Sequence, residues 1–192
     1  MVCGALLWIL IDLAMRGAAL VTPEFLLQAP RDAGRAGGIG SLIVSTVWIV
    51  AIAVGVALPI GFLTAVKLAD HRASRSATWV RGCLDVLNAV PSIVFGLFGN
   101  GFFCIVLGLG YSILAGGLTL ACMILPILIR TIEAALRAVP PDLSLAASAL
   151  GLSRTTTLLR VVAPAAAPAI AIGVILGVGR ALSETAALIF TA

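Results

Sequence analysis

The stretch from Val86 to Ile129 contains no charged residue. As one straight helix it would rise roughly 66 Å at 1.5 Å per residue, about twice the ~30 Å hydrocarbon thickness of a bilayer. A soluble fold has no place for such a run, and a membrane fold has to turn it back on itself. Turn residues lie at Gly108-Leu109-Gly110-Tyr111-Ser112. They predict one span at 83–107, made irregular by Pro91 and Asn100, and another at 112–130. Three further apolar segments are long or nearly long enough to cross: 2–15, interrupted only by Asp12; Ser41 to Val66, with Pro59 and Gly61 inside it; and Val161 to Gly179. The expectation is an all-α polytopic bundle of about five transmembrane helices. Composition agrees, with 61% hydrophobic and only 10% charged residues where a soluble domain carries about 25% charged.

Segment 2–15 is short for a span and reads as a short or truncated first crossing. It has no positive residues before it and no clear small-residue cleavage pattern after it, so it is not read as a signal peptide. Residues 16–40 are a loop with a short interfacial helix around Pro23–Gln28, then a glycine-rich stretch at Gly34, Gly37, Gly38 and Gly40. The organisation expected is a short first span and external loop over 1–36, then one transmembrane domain over 37–192. The loops 67–81 and 130–160 carry Lys67, Arg72, Arg75, Arg81, Arg130, Arg137, Arg154 and Arg160, against Arg16, Arg31 and Arg35 on the other side. Basic residues favour the cytoplasm, which places both loops inside and the 16–40 loop outside.

The net charge of +4 does not point to nucleic acid, since the basic residues are scattered through short loops without interleaved aromatics. Cys3, Cys83, Cys104 and Cys122 lack metal-ligand spacing and read as small core residues. The single histidine, His71, lies in a basic loop, which argues against an intramembrane Ser–His protease. No catalytic or metal-binding set is assigned. Asp85 is expected to pair with Arg81 one turn back. Asn88 and Asn100 are read as hydrogen-bonders between helices. The Gly173–Gly177 pair is a GxxxG match that permits close helix approach.

The stretch 138–164 is the most informative of the polar segments. Pro140 and Pro141 stop one helix, and Pro141-Asp142 suits the first turn of the next. Leu143, Ala146, Ala147 and Leu150 share a helical face. Gly151 suits its C-terminal cap, and Ser153 can cap a second helix running toward Pro164. A compact helix-turn-helix with small residues fits a docking knob for a cytoplasmic partner. It also fits an amphipathic helix lying on the membrane surface, which the residues taken alone slightly favour.

This stretch resembles the loop signature of importer permeases of the ATP-binding-cassette class: Glu-Ala-Ala, three residues, Gly, nine residues, Ile, one residue, Leu-Pro. Here it stands as Leu145-Ala146-Ala147, then Gly151, then Val161, Ala163 and Pro164, with the spacing kept. Leu145 replaces the usual glutamate. The resemblance implies the type I (MetI-like) importer-permease fold, with Ala146, Ala147, Gly151, Arg154 and Pro164 in a coupling helix seated on an ATP-hydrolysing subunit.

Arg180 and Glu184 lie four apart near the last span and are expected to share a helix face. A charge in a span is usually paired or functional. The two residues fit an ion pair locking two spans, an interfacial pair, or an anion or proton path. Arg180-Ala181-Leu182-Ser183-Glu184-Thr185 is similar to the Arg-Ala-x-Gly-Glu-Thr motif of phosphate-import permeases, the PstA and PstC subunits. Ala57-Leu58-Pro59-Ile60-Gly61 and Val90-Pro91-Ser92 are also similar, and the likeness to PstA runs from about Gly37 to Ala192. It implies a half-pathway with Arg180 and Glu184 on the solute route and no catalytic residue or cofactor of its own, ATP being bound by a partner. The partners implied are a cytoplasmic ATPase dimer, a second PstC-like permease and a periplasmic or lipid-anchored phosphate-binding protein, all at the bacterial inner membrane. The family has a further C-terminal span beyond this stretch. The alternatives are a related importer for sulfate or molybdate, or a proton-coupled secondary transporter using Arg180 and Glu184.

Overall fold

A computed structural model describes residues 2–18, 20–31, 36–70 and 74–192. Gly34, Arg35, His71, Arg72 and the side chain of Cys3 lie outside the described residues. The chain forms two compact units, 1–47 and 48–192.

In the first unit, α1 (Val2–Ala18) is a 17-residue apolar helix with an Asp12–Arg16 ion pair on its surface. The Thr22 hydroxyl accepts from the Phe25 amide at 3.2 Å and opens α2 (Pro23–Leu27), with Pro23 in its first turn. This is the short helix predicted there. A two-residue antiparallel ribbon, β1 (Pro30–Arg31) with β2 (Ala36–Gly37), follows. It was not legible in the sequence. Helix α3 (Gly40–Asp70) begins here and runs 31 residues, with Pro59 inside it. Neighbouring helices and local adjustment satisfy the freed backbone in such a span.

The second unit is built around α6 (Ile113–Ala138). Ser112 opens it by accepting from the Ala115 amide at 3.2 Å. Leu120, Ile124, Leu128, Ile129 and Ile132 are all but fully buried, on more than one face, because other helices pack around α6. Ala53, Ala57, Gly61 and Ala65 recur every fourth residue on α3 and are buried. Small side chains on that stripe let the α6 leucines and isoleucines approach closely. Helix α9 (Ala163–Ser183) closes on the other side through the GxxxG pair. A Cβ at Gly173 would sit 2.7 Å from Thr131 Cγ2, and one at Gly177 would sit 3.0 Å from Leu128 Cδ2. The motif therefore marks a packing seam within this chain.

The span predicted at 83–107 is not straight. Helix α4 (Arg75–Ala89) and helix α5 (Ser92–Gly99), which continues as a π-helical segment to Val106, meet at 98°. Pro91 has no N–H to donate and forces Val90 into extended backbone, φ −69° and ψ 130°. The polar stretches 67–81 and 130–160 are also less loop-like than expected. α3 runs to Asp70, α4 starts at Arg75, and α6 continues two turns past Arg130, since a helix need not stop where the bilayer does. Among the described residues three helices are long and apolar enough to cross a membrane, four with the bent pair counted as one. With α1 they match the five segments read from the sequence.

Candidate functional site

The loop between α6 and α9 has the cap chemistry its sequence predicts. Val139 and Pro140 are extended, and α7 (Pro141–Ala149) begins with proline at its first position and Asp142 in its first turn. At its end the Leu152 amide donates to the Ala147 carbonyl at 3.1 Å and the Gly151 amide to Ser148 at 3.0 Å. This paired closure needs a left-handed residue, and Gly151 supplies φ +75°. The Ser153 hydroxyl accepts from the Thr156 amide at 3.2 Å and opens α8 (Arg154–Thr157), which runs through a π-helical turn into α9.

The predicted shared face is only partly buried. Ala147 turns inward at 3% exposure, while Leu143 and Leu150 of that face are 42 and 80% exposed and Ala146 is exposed too; Leu145, off that face, is 65% exposed. The cause is length: nine residues give a helix of about 13 Å, too short to cover an apolar face on one support. A cleft of about 530 Å³ lies beneath the loop, between it, the end of α3 and the end of α6. Arg154, largely exposed, faces Asp70 of α3 across it at 3.9 Å. Pro164 lies in the first turn of α9 and is exposed.

Arg180 is exposed in the last turn of α9. Glu184 does not share its helical face. The helix ends at Ser183, whose hydroxyl donates to the Arg180 carbonyl at 3.0 Å, and Glu184 is extended, φ −97° and ψ 101°. No ion pair joins them among the described residues. The following segment folds against α5 and α6. Asn100 Nδ2 donates to the Phe190 carbonyl at 2.6 Å, the Ser112 amide donates to the Thr191 carbonyl at 3.2 Å, and Ala187 is fully buried. Asn100 thus joins elements as expected, whereas Asn88 is exposed on α4.

Glu133 is the residue that the sequence reading missed. It sits on α6 at 2% exposure. Arg81 Nε of α4 donates to its Oε1 at 2.8 Å, Arg137 Nη2 lies 2.7 Å from the same oxygen, and Arg130 Nη1 lies 3.6 Å from Oε2. Arg130 also forks onto Asp85 of α4, at 3.0 and 2.9 Å. Asp85 therefore takes Arg130 rather than the expected Arg81, because α6 presents a two-pronged donor to it. Arg81 and Arg137 also donate to the Leu68 carbonyl of α3, at 2.7 and 3.3 Å. The last carbonyls of a helix lack partners within it, and cations are favourable there. The spacing Arg130, Glu133, Arg137 puts all three on one helical face and was the available signal. Nothing in the sequence brings Arg81 to it. Among the described residues no group of metal-ligating side chains occurs, and Cys83, Cys104 and Cys122 are free thiols.

Comparison with known proteins gives a consistent picture. Residues 57–192 match the family described as binding-protein-dependent transport system inner membrane component. The probable ABC transporter permease protein YqgI of Bacillus subtilis is 36% identical over 179 residues, 93% of this chain and 61% of that protein. The phosphate transport system permease protein PstA homolog of Mycoplasma pneumoniae is 38% identical over 160 residues, 80% of this chain and 25% of that protein. The phosphate transport system permease protein PstA of Haemophilus influenzae is 34% identical over 188 residues, 97% of this chain and 66% of that protein. The chain thus spans between a quarter and two thirds of the length of these relatives.

Proposed function

We propose, since this chain belongs to the family of binding-protein-dependent transport system inner membrane components and is a multi-pass inner-membrane protein, that it forms half of the pathway of an ATP-driven phosphate importer. The observation that carries the coupling is the loop 138–164. It is a short helix closed by a left-handed glycine, with exposed leucines and alanines at its tip, held at the end of the most buried helix in the unit. A convex, apolar, small-residue tip fits a groove on a soluble ATPase. Leu145, where importers of this class usually have glutamate, makes that contact apolar rather than ionic.

The substrate assignment is supported by the printed names of the PstA relatives and by Arg180. Its exposed guanidinium in the last turn of α9 is a fork of donors suited to a phosphate oxyanion. The assembly proposed has a second permease, two ATPase subunits and an external phosphate-binding protein. The chemistry of ATP lies in the partner, and this chain contributes motion and a path.

The test is labelled-phosphate uptake in cells expressing the assembled system with Arg180→Gln, with membrane assembly checked by co-purification of the ATPase. Uptake is expected to fall at least tenfold while assembly persists. Unchanged phosphate uptake, or uptake of labelled sulfate or molybdate in its place, would remove the phosphate reading. Failure of any ATPase to co-purify would remove the coupling.

A further inference from the structure

We infer that the ion cluster at Glu133 is a register key, which makes α4 and α6 move as one body and delivers displacement of the coupling loop to the membrane helices. Glu133 is then a positioning residue for transport. The inference rests on the proposal that the loop docks an ATPase.

The charge order carries it. Along α4 the sequence is a cation at Arg81, then an anion at Asp85, one turn apart. Along α6 it is a cation at Arg130, an anion at Glu133, and a cation at Arg137. The pairs observed are Arg81 with Glu133 and Asp85 with Arg130, so the helices run antiparallel with both charges matched. A slip of one turn one way would bring Asp85 against Glu133, and a slip the other way would bring Arg81 against Arg130 and take Asp85 off its arginine. Packed helices can otherwise ratchet past one another by one turn, and apolar contacts alone barely oppose it in lipid. Here the alternative registers place like charges together at a buried site.

The cluster is also placed to transmit. Arg137 is next to the last residue of α6, and only Val139 and Pro140 separate that helix from α7. Two prolines in succession restrict the backbone there, so the connection is stiff. The same arginines hold the Leu68 carbonyl and add the end of α3 to the body. Arg154 also faces Asp70 beneath the loop, through an exposed pair 3.9 Å long, and a single pair of that kind holds little.

The experiment uses the full transporter reconstituted in vesicles, with spin labels at Trp79→Cys on α4 and Ala134→Cys on α6, both exposed sites, and the native cysteines replaced. The label-to-label distance is expected to stay constant with and without nucleotide. In E133Q it is expected to broaden or shift by about one helical turn, ~5 Å, while the solute moved per ATP falls at least tenfold. The double variant R81Q/E133Q should be no worse than E133Q. Should E133Q fail to assemble, Glu133→Asp keeps the charge on a shorter stem and should lower the ratio severalfold. A distance that shifts by a turn in the unvaried complex, or an assembled Glu133 variant with the unvaried ratio, would overturn the inference. Absence of ATP-driven uptake by the unvaried complex would sink the proposed function instead, and the label distance would still decide the register key.

Discussion

Replacing Gly173 by alanine tests the seam between α6 and α9. The new Cβ would lie 2.7 Å from Thr131 Cγ2 and 3.1 Å from Thr131 Cβ, where carbon atoms rest at about 3.5–4.0 Å. The gap must open by roughly 0.8–1.3 Å, or Thr131 must turn. Thr131 is stiff at χ1, and its hydroxyl donates to the Ile127 carbonyl at 2.8 Å. One turn further, Gly177 lies against Leu128, which is 1% exposed and has no space to retreat into. Separating the helices there loosens contacts that no hydrophobic force restores in lipid. Overpacking of this kind costs about 1–3 kcal/mol. Thr131→Ser removes the offending methyl and keeps the hydroxyl on Ile127, so the pair G173A/T131S should recover at least half of the loss. Unfolding in mixed detergent micelles, followed by far-ultraviolet circular dichroism, measures all three variants. A loss below about 0.5 kcal/mol for G173A, or a double variant no better than the single, would refute the reasoning.

Further outcomes follow from single contacts. Gly151→Ala forces a side chain into left-handed backbone at a cost of roughly 1–2 kcal/mol. The membrane helices should stay folded while less ATPase co-purifies. Asn100→Ala removes the donor to the Phe190 carbonyl, worth about 1–3 kcal/mol where a group is left unsatisfied. Hydrogen exchange over 188–192 should speed up about tenfold with α6 unaffected. Arg154→Gln, which loses an exposed pair with Asp70 at 3.9 Å, should change stability by less than about 0.5 kcal/mol, and any change should vanish at high salt.

The sequence alone determined the class of fold and the outline of the working loop. Uncharged runs of span length leave a chain no alternative to helices in lipid, because an unpaired backbone amide there is too costly. The loop was legible because its devices are local: proline at a helix start, serine at a cap and glycine at a left-handed closure each act within a few residues. The bend at Pro91 was half legible. Proline and its predecessor gave the break, but the 98° angle depends on what α4 and α5 pack against. Arg180 and Glu184 misled for the opposite reason. Their spacing fits one helix face, yet the helix ends between them, because the chain after Ser183 folds onto α5 and α6 instead of continuing straight. The Glu133 cluster belonged wholly to the tertiary structure. Its charges come from α4 and α6, with a carbonyl of α3, and only packing decides which of several arginines meets a given carboxylate, since Coulomb attraction carries no memory of position along the chain.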